Sequence, residues 1–299
     1  MKAFVRILLG TFFMFSSVSK LSSLEGFELY IFSFEFFSFD LSSILARLVI
    51  IAEFIIGAGL ASGQFYRFFK YSTAISLLGF SIFLIWRMLL GDTESCHCMG
   101  DIVDMNPLQS LLKNLVLAFM LVFCWNAAGR QYRFRLCAAS ILVVLVSVAV
   151  FAAFPPDAYY RIGRQSEDLS METFAPVADS LGLSEGRKLI CMYSASCEHC
   201  RRSASKMAGI IRRHNIPTDS VSVIFMQTHE NQDSVSTEFF RSHGESLMLP
   251  YSYLHPYVFI PVTNGSMPLV LLFDEGRLVK EYEYCSIDEK EISAFKNKK

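Results

Sequence analysis

Between Ala3 and Phe154 the chain carries five apolar stretches, approximately Ala3 to Val18, Ser43 to Ser62, Tyr71 to Leu90, Leu111 to Trp125 and Leu136 to Phe154. A helix needs roughly 17 to 25 such residues to cross the hydrocarbon core of a bilayer. The spacing therefore predicts an all-α bundle of about five transmembrane helices, the first and fourth the shortest. Composition agrees: of 299 residues, 53% are hydrophobic and 18% charged, with 28 phenylalanines. An ordinary soluble domain is about 25% charged. A disordered chain and a basic nucleic-acid binder are excluded, and net charge −1 gives no whole-chain field toward a polyanion. The lipid bilayer is the first expected partner, and nucleic acid is not one.

The apolar pattern stops at Pro155. Only 11 of the 27 Lys/Arg and 9 of the 28 Asp/Glu lie before Pro156. The expected organisation is a membrane domain over 1–155, a linker over 156–186 and a water-soluble domain over 187–299. Lys2 and Arg6 before the first apolar run also suit a signal peptide, but Ser16 to Lys20 offers no A-x-A-like cleavage site, so a retained span is expected. Between the first two spans, Phe27, Tyr30, Ile31, Phe34 and Phe37 recur at helical spacing while Glu28 and Glu35 share another face. That pattern predicts a helix lying in the membrane interface, with a further span or a packed loop as alternatives.

Lys and Arg accumulate in cytoplasmic loops. Lys2 and Arg6, then Arg67 and Lys70, then Arg130, Arg133 and Arg135 alternate with acidic loops around Glu25 to Asp40 and Asp92 to Asp104. Five spans from a cytoplasmic start put the loop from Gly91 to Ser110 and everything after Phe154 on the outer face, as in the inner membrane of a bacterium with the soluble domain in the periplasm.

Two cysteine pairs share that face, where disulfides persist: Cys96-His97-Cys98 and Cys197-Glu198-His199-Cys200. Cys124, Cys137, Cys191 and Cys285 read as inert structural thiols. The second pair follows an apolar strand, Lys188 to Ser194, and opens a helical run, Arg201 to His214. At a helix start, free N–H groups and partial positive charge stabilise a thiolate. Cys197 is then the nucleophile and Cys200 the resolving thiol. His199 would favour the Cys197 thiolate and Glu198 oppose it, which leaves the redox bias open. A zinc site needs two further ligands at suitable spacing, and haem attachment needs His after the second cysteine, where Arg201 stands. No cofactor or metal is expected on these grounds. No quinone site is apparent, and whether a quinone or a second redox protein exchanges electrons here is open.

Further strands are expected over Ser220 to Gln227, Pro268 to Asp274 and Arg277 to Glu283, and helices over Ser234 to His243 and Ile287 to Phe295. This β-α-β-α-β-β-α order around Cys-x-x-Cys resembles the thioredoxin superfamily over roughly Arg187 to Lys299. The resemblance implies an α/β fold with a cis Met267-Pro268 bond beside the cysteines, where substrate binds. The segment from Glu245 to Ser266 exceeds the minimal fold and either faces a partner or covers the core.

The N-terminal half carries Arg6-Ile-Leu-Leu-Gly10, Lys20, Gly26-Phe27, Glu53 within the second span, and Cys96-His-Cys-Met-Gly100 followed by Pro107-Leu-Gln-Ser-Leu-Leu-Lys-Asn-Leu115. These resemble the MauE-type methylamine-utilisation family, relatives of DoxX-like membrane proteins. The resemblance implies redox maturation of envelope proteins, with envelope protein thiols and disulfides as partners. The expected function is thiol–disulfide exchange, with electrons passing between Cys197/Cys200 and Cys96/Cys98. The alternative is copper handling, since Cys96, His97, Cys98 and Met99 are soft ligands suited to Cu(I). Glu53, costly inside an apolar helix, either relays protons or pairs with Arg87 or Lys113.

Overall fold

The computed structural model describes residues 1–89, 105–127, 129, 135–161, 186–228, 232–241 and 247–297. Two units emerge from the chain's own contacts, one of Met1–Ile31 with Ser42–Pro155, the other of Phe32–Leu41 with Pro156–Lys299.

The first unit is helical: α1 (Lys2–Ser22), α2 (Leu24–Phe32), α3 (Phe39–Ser62), α4 (Tyr66–Leu89), α5 (Pro107–Phe123) and α6 (Arg135–Ala153). Among the described residues, α1, α3 and α4 are long and apolar enough to cross a membrane; α5 has 17 residues and α6 has 19. At 1.5 Å per residue α5 covers about 26 Å, short of the usual hydrocarbon thickness. Each of the five expected spans falls on a helix, α1, α3, α4, α5 and α6 in turn. This part is a multi-pass membrane protein.

Close helix contact explains two of its glycines. A Cβ added at Gly10 of α1 would lie 2.6 Å from the Gly57 carbonyl oxygen of α3, and one at Gly57 would lie 2.7 Å from that of Gly10. Small residues let helix backbones approach where lipid supplies no hydrophobic drive. The α5 start is capped reciprocally, with Asn106 accepting from Gln109 N–H and Gln109 accepting from Asn106 N–H, ahead of Pro107.

α2 departs from expectation. It ends at Phe32, and Glu35 beyond it has φ +59°, so Glu28 and Glu35 share no helical face. Glu28 is buried and pairs with Arg47 and with Ser43 Oγ (3.2 Å). An interfacial helix would have kept that carboxylate in water; an ion pair with α3 draws it inward instead. Arg47 also donates to the carbonyls of Phe154 (2.7 Å) and Pro155 (2.9 Å).

In the second unit, β1 (Arg187–Tyr193), β2 (Val221–Met226), β3 (Tyr251–Leu254), β4 (Leu269–Asp274) and β5 (Arg277–Glu283) form one sheet in the order β3-β2-β1-β4-β5. β1 pairs in parallel with β2, and β2 with β3, while β4 and β5 run antiparallel. The helices are α7 (Asp157–Tyr160), α8 (Glu198–Arg213), α9 (Gln232–Arg241), α10 (Pro256–Thr263) and α11 (Glu289–Asn297). Ile190, Met192, Ile224 and Leu271 form one core face with Phe259 and Val262 of α10. On the other face Tyr193 and Phe225 meet Phe239 of α9 at 5.8 and 5.0 Å between ring centroids. This is a thioredoxin-like fold. The expected element order lacked β3 and α10, both inside the segment from Glu245 to Ser266. That segment contributes a parallel edge strand and a core helix.

Phe32–Leu41 and the stretch beginning at Pro156 belong to the second unit through particular contacts. Phe32 packs where Gly209 of α8 has no side chain, since a Cβ there would lie 2.4 Å from the ring. The Phe39 N–H donates to Glu289 (2.8 Å), Arg212 pairs with Glu35 (3.0 Å), and Arg161 pairs with Asp40 and with Asp288 (3.2 Å). Lys206, fully buried on α8, has its Nζ 2.7 Å from Asp157 and 3.8 Å from the centre of the Phe39 ring.

Candidate functional site

β1 is buried along its last five residues and delivers the chain to a tight turn in which the Cys197 N–H donates to the Ser194 carbonyl (3.1 Å). Cys197 has extended backbone (φ −85°, ψ 119°) and is the N-cap of α8; its sulfur accepts from the Cys200 N–H at 3.3 Å. A sulfur here replaces the oxygen that usually satisfies an orphan N–H of the first turn. Cys197 is half-buried, whereas Cys200, one turn on, has no exposed surface. The Ser194 N–H donates to Cys200 Sγ (3.4 Å). Both cysteines are free thiols in this structure.

Burial holds the Cys200 thiol well above its ordinary pKa; hydrogen bonding to Cys197 adds to this, and the Ser194 N–H partly offsets it. The two sulfurs thus differ in access. Cys197 is placed to meet a partner, and Cys200 is reached only through Cys197.

Behind the pair lie residues that sequence reasoning left out of the site. Tyr193 is buried, its hydroxyl 3.2 Å from Ser203 of α8. Its pKa is raised by burial and by the neighbouring Cys191 and Cys200. Cys191, also on β1, is pushed by burial up to about 12. Period two along β1 and period three along α8 bring Cys191, Tyr193, Ser203 and Cys200 to one side, a signal available in the spacing of a strand against the helix that follows it.

Glu198 is exposed and sits 3.8 Å from Arg201 and 3.5 Å from Arg202. The His199 ring lies 6.2 Å from that of Tyr284. Met267-Pro268 is cis. The antiparallel register Met192↔Leu269 sets this bond beside the C-terminal end of β1, the end from which the cysteine turn departs. Met267 packs against the core. Cys96 and Cys98 lie outside the described residues, as does the side chain of Cys137. Cys124 and Cys191 are buried, as expected of inert thiols, whereas Cys285 is only half-buried.

In the membrane unit Glu53 has a partner, but neither of the two expected. Lys20 of α1 reaches it at 2.5 Å and Ser16 at 3.5 Å. The close α1–α3 approach at Gly10 and Gly57 makes that pairing possible. Arg87 instead lies over the Tyr30 ring at 5.0 Å and Lys113 over Phe80 at 5.8 Å.

Residues 1–127, which include Lys20 and Glu53, match the family described as methylamine utilisation protein MauE. The similarity to MauE covers α1 to α5. Beyond it the similarity continues: Protein TlpB of Flavobacterium psychrophilum is 21% identical over 335 residues, covering 93% of this chain and 90% of that protein. That alignment covers both units of this chain.

Proposed function

We propose that this protein is a membrane-anchored thiol–disulfide oxidoreductase of the bacterial inner membrane whose thioredoxin-like unit acts in the periplasm on envelope proteins. One observation carries the reading: a half-buried sulfur at the N-cap of α8 with a fully buried second sulfur one turn behind it. In the reducing direction the Cys197 thiolate attacks one sulfur of a substrate disulfide. That S–S bond breaks, a mixed disulfide to Cys197 forms, and the other substrate sulfur leaves as a thiolate that takes up a proton. Cys200 then loses its proton and attacks Cys197 Sγ, forming the Cys197–Cys200 disulfide and releasing the second substrate thiol. Two electrons move from the cysteine pair to the substrate. The reverse sequence oxidises a substrate dithiol.

The helix N-terminus and the Cys200 N–H support negative charge at the attacking sulfur. Burial of Cys200 delays its deprotonation until the mixed disulfide positions it for attack. In the proposed relay the Cys96/Cys98 dithiol reduces the Cys197–Cys200 disulfide by exchange and is left as a disulfide, which takes two electrons from a further redox protein to close the cycle. The MauE-type domain and the relation to TlpB favour a role in maturation of envelope proteins.

Replacement of Cys200 by Ser tests this. The variant should retain Cys197 in covalent complexes with envelope proteins or with Cys96 or Cys98, released by dithiothreitol and absent from Cys197→Ser. Absence of any Cys197-linked species in both oxidising and reducing cells would sink the proposal.

A further inference from the structure

β1, β2 and β3 are consecutive parallel neighbours, so their C-terminal ends share one rim of the sheet. β1 leads to Cys197, β2 to Gln227 and Thr228, and β3 to His255. At that rim, on the α10 side, lies a cleft of about 600 Å³ lined by Gln227, His255, Tyr257, Ile260 and Pro261 among others. Its walls are mostly apolar, with Gln227, Thr228 and His255 as the polar members. The His255 and Tyr257 rings stack at 5.1 Å and 14°, and His255 caps α10 by accepting from the Tyr257 N–H (3.4 Å). Yet Tyr257 is 86% and Ile260 48% exposed. Scattered exposed apolar side chains are ordinary, but a held aromatic next to a branched aliphatic in a concave site resembles the anchor pockets that polypeptide partners fill.

We infer that this cleft binds an aromatic or branched apolar side chain of the polypeptide whose cysteine exchanges with Cys197, and so selects substrates. The inference rests on the thiol-exchange reading. Its support is that the lining residues follow the C-terminal ends of two strands parallel to the one that leads to Cys197, and that the lining is stacked rings and aliphatic groups without a charged side chain among the residues named. Strands are about 4.8 Å apart, which puts the β3 end at least about 10 Å from the β1 end. An extended peptide advances about 3.3 Å per residue, so the anchoring side chain stands at least three residues from the substrate cysteine. The cleft is separate from the Met267-Pro268 segment.

The test uses the full chain in detergent and decapeptides in which the cysteine is replaced by alanine, so that no exchange is needed. In one set a single phenylalanine stands three to six residues from that alanine; in the control set serine replaces it. The parent protein should bind at least one phenylalanine peptide roughly 10-fold more tightly than its serine counterpart. Tyr257→Ser combined with Ile260→Ser should bring that ratio to about one, and Val279→Ser, exposed on β5, should keep it. Equal binding of the two sets by the parent, or a preference surviving in the double variant, overturns the inference. Intact preference in a protein whose Cys200→Ser form traps nothing would instead remove the exchange reading and leave a peptide-binding cleft.

Discussion

Cys191 and Cys200 are both buried thiols, yet in the proposed exchange only Cys200 has a route to chemistry. It follows Cys197 by one turn and becomes reachable when Cys197 is held in a mixed disulfide. Cys191 sits within β1, flanked by β2 and β4, and its thiol is pushed from 9.0 up to about 12 by burial. A raised folded-state pKa favours the protonated fold, so stability present below the unfolded thiol value is lost as pH rises through the folded one. The affected window therefore runs from about pH 9 to about pH 12. Denaturation of the reduced protein followed by near-ultraviolet circular dichroism should show stability falling across that window. Cys191→Ala should flatten the slope by up to one proton, about 1.4 kcal/mol per pH unit. An unchanged slope would mean that other groups, such as Tyr193, set the alkaline limit.

Among the elements, α8 works hardest, with the proposed nucleophile as its N-cap and a buried ammonium midway. Lys206 is compensated by Asp157 and lies against the Phe39 ring. Removing one member of a buried pair typically costs about 3–5 kcal/mol, while replacing the pair with apolar groups is often neutral. Asp157→Ala should thus destabilise the second unit by several kcal/mol, and adding Lys206→Met should recover most of the loss; melting of the three proteins at matched pH decides. No periodicity announced this pair, because its members are 49 residues apart and Asp157 looks like a turn residue after two prolines. The Cys-x-x-Cys placement, by contrast, was legible, since an apolar strand, a short turn and an amphipathic helix are local patterns. β3 and α10 were not. Tyr251-Ser-Tyr-Leu254 is four residues long with all its side chains half-buried, so alternation has little room to register. α10 contains Pro261, which sequence rules read as a helix breaker. Glu53 stood out as costly, but finding Lys20 required knowing that α1 and α3 touch backbone to backbone.

For the whole molecule, what matters is which side of the membrane the cysteines face. The basic and acidic loops argue for an outer location of the second unit. A membrane-impermeant maleimide should label reduced Cys197 in cells with a permeabilised outer membrane and an intact inner one. Labelling only after the inner membrane is broken would reverse the orientation and take the thiols out of an oxidising compartment. The MauE-type helices would then hold a reducing enzyme on the cytoplasmic side.

The second unit is discontinuous in sequence, and this bears on how the protein is made. The Phe39 N–H and the Glu289 carboxylate that accepts from it are 250 residues apart, which at 5–20 residues per second is about 12–50 s of synthesis. Until α8 has been made, the early segment with Phe32 and Phe39 has emerged without Gly209 and Lys206, against which those rings pack. Assembly of the second unit therefore concludes only after Glu289 has been made, and a nascent chain arrested short of it would lack this closing contact.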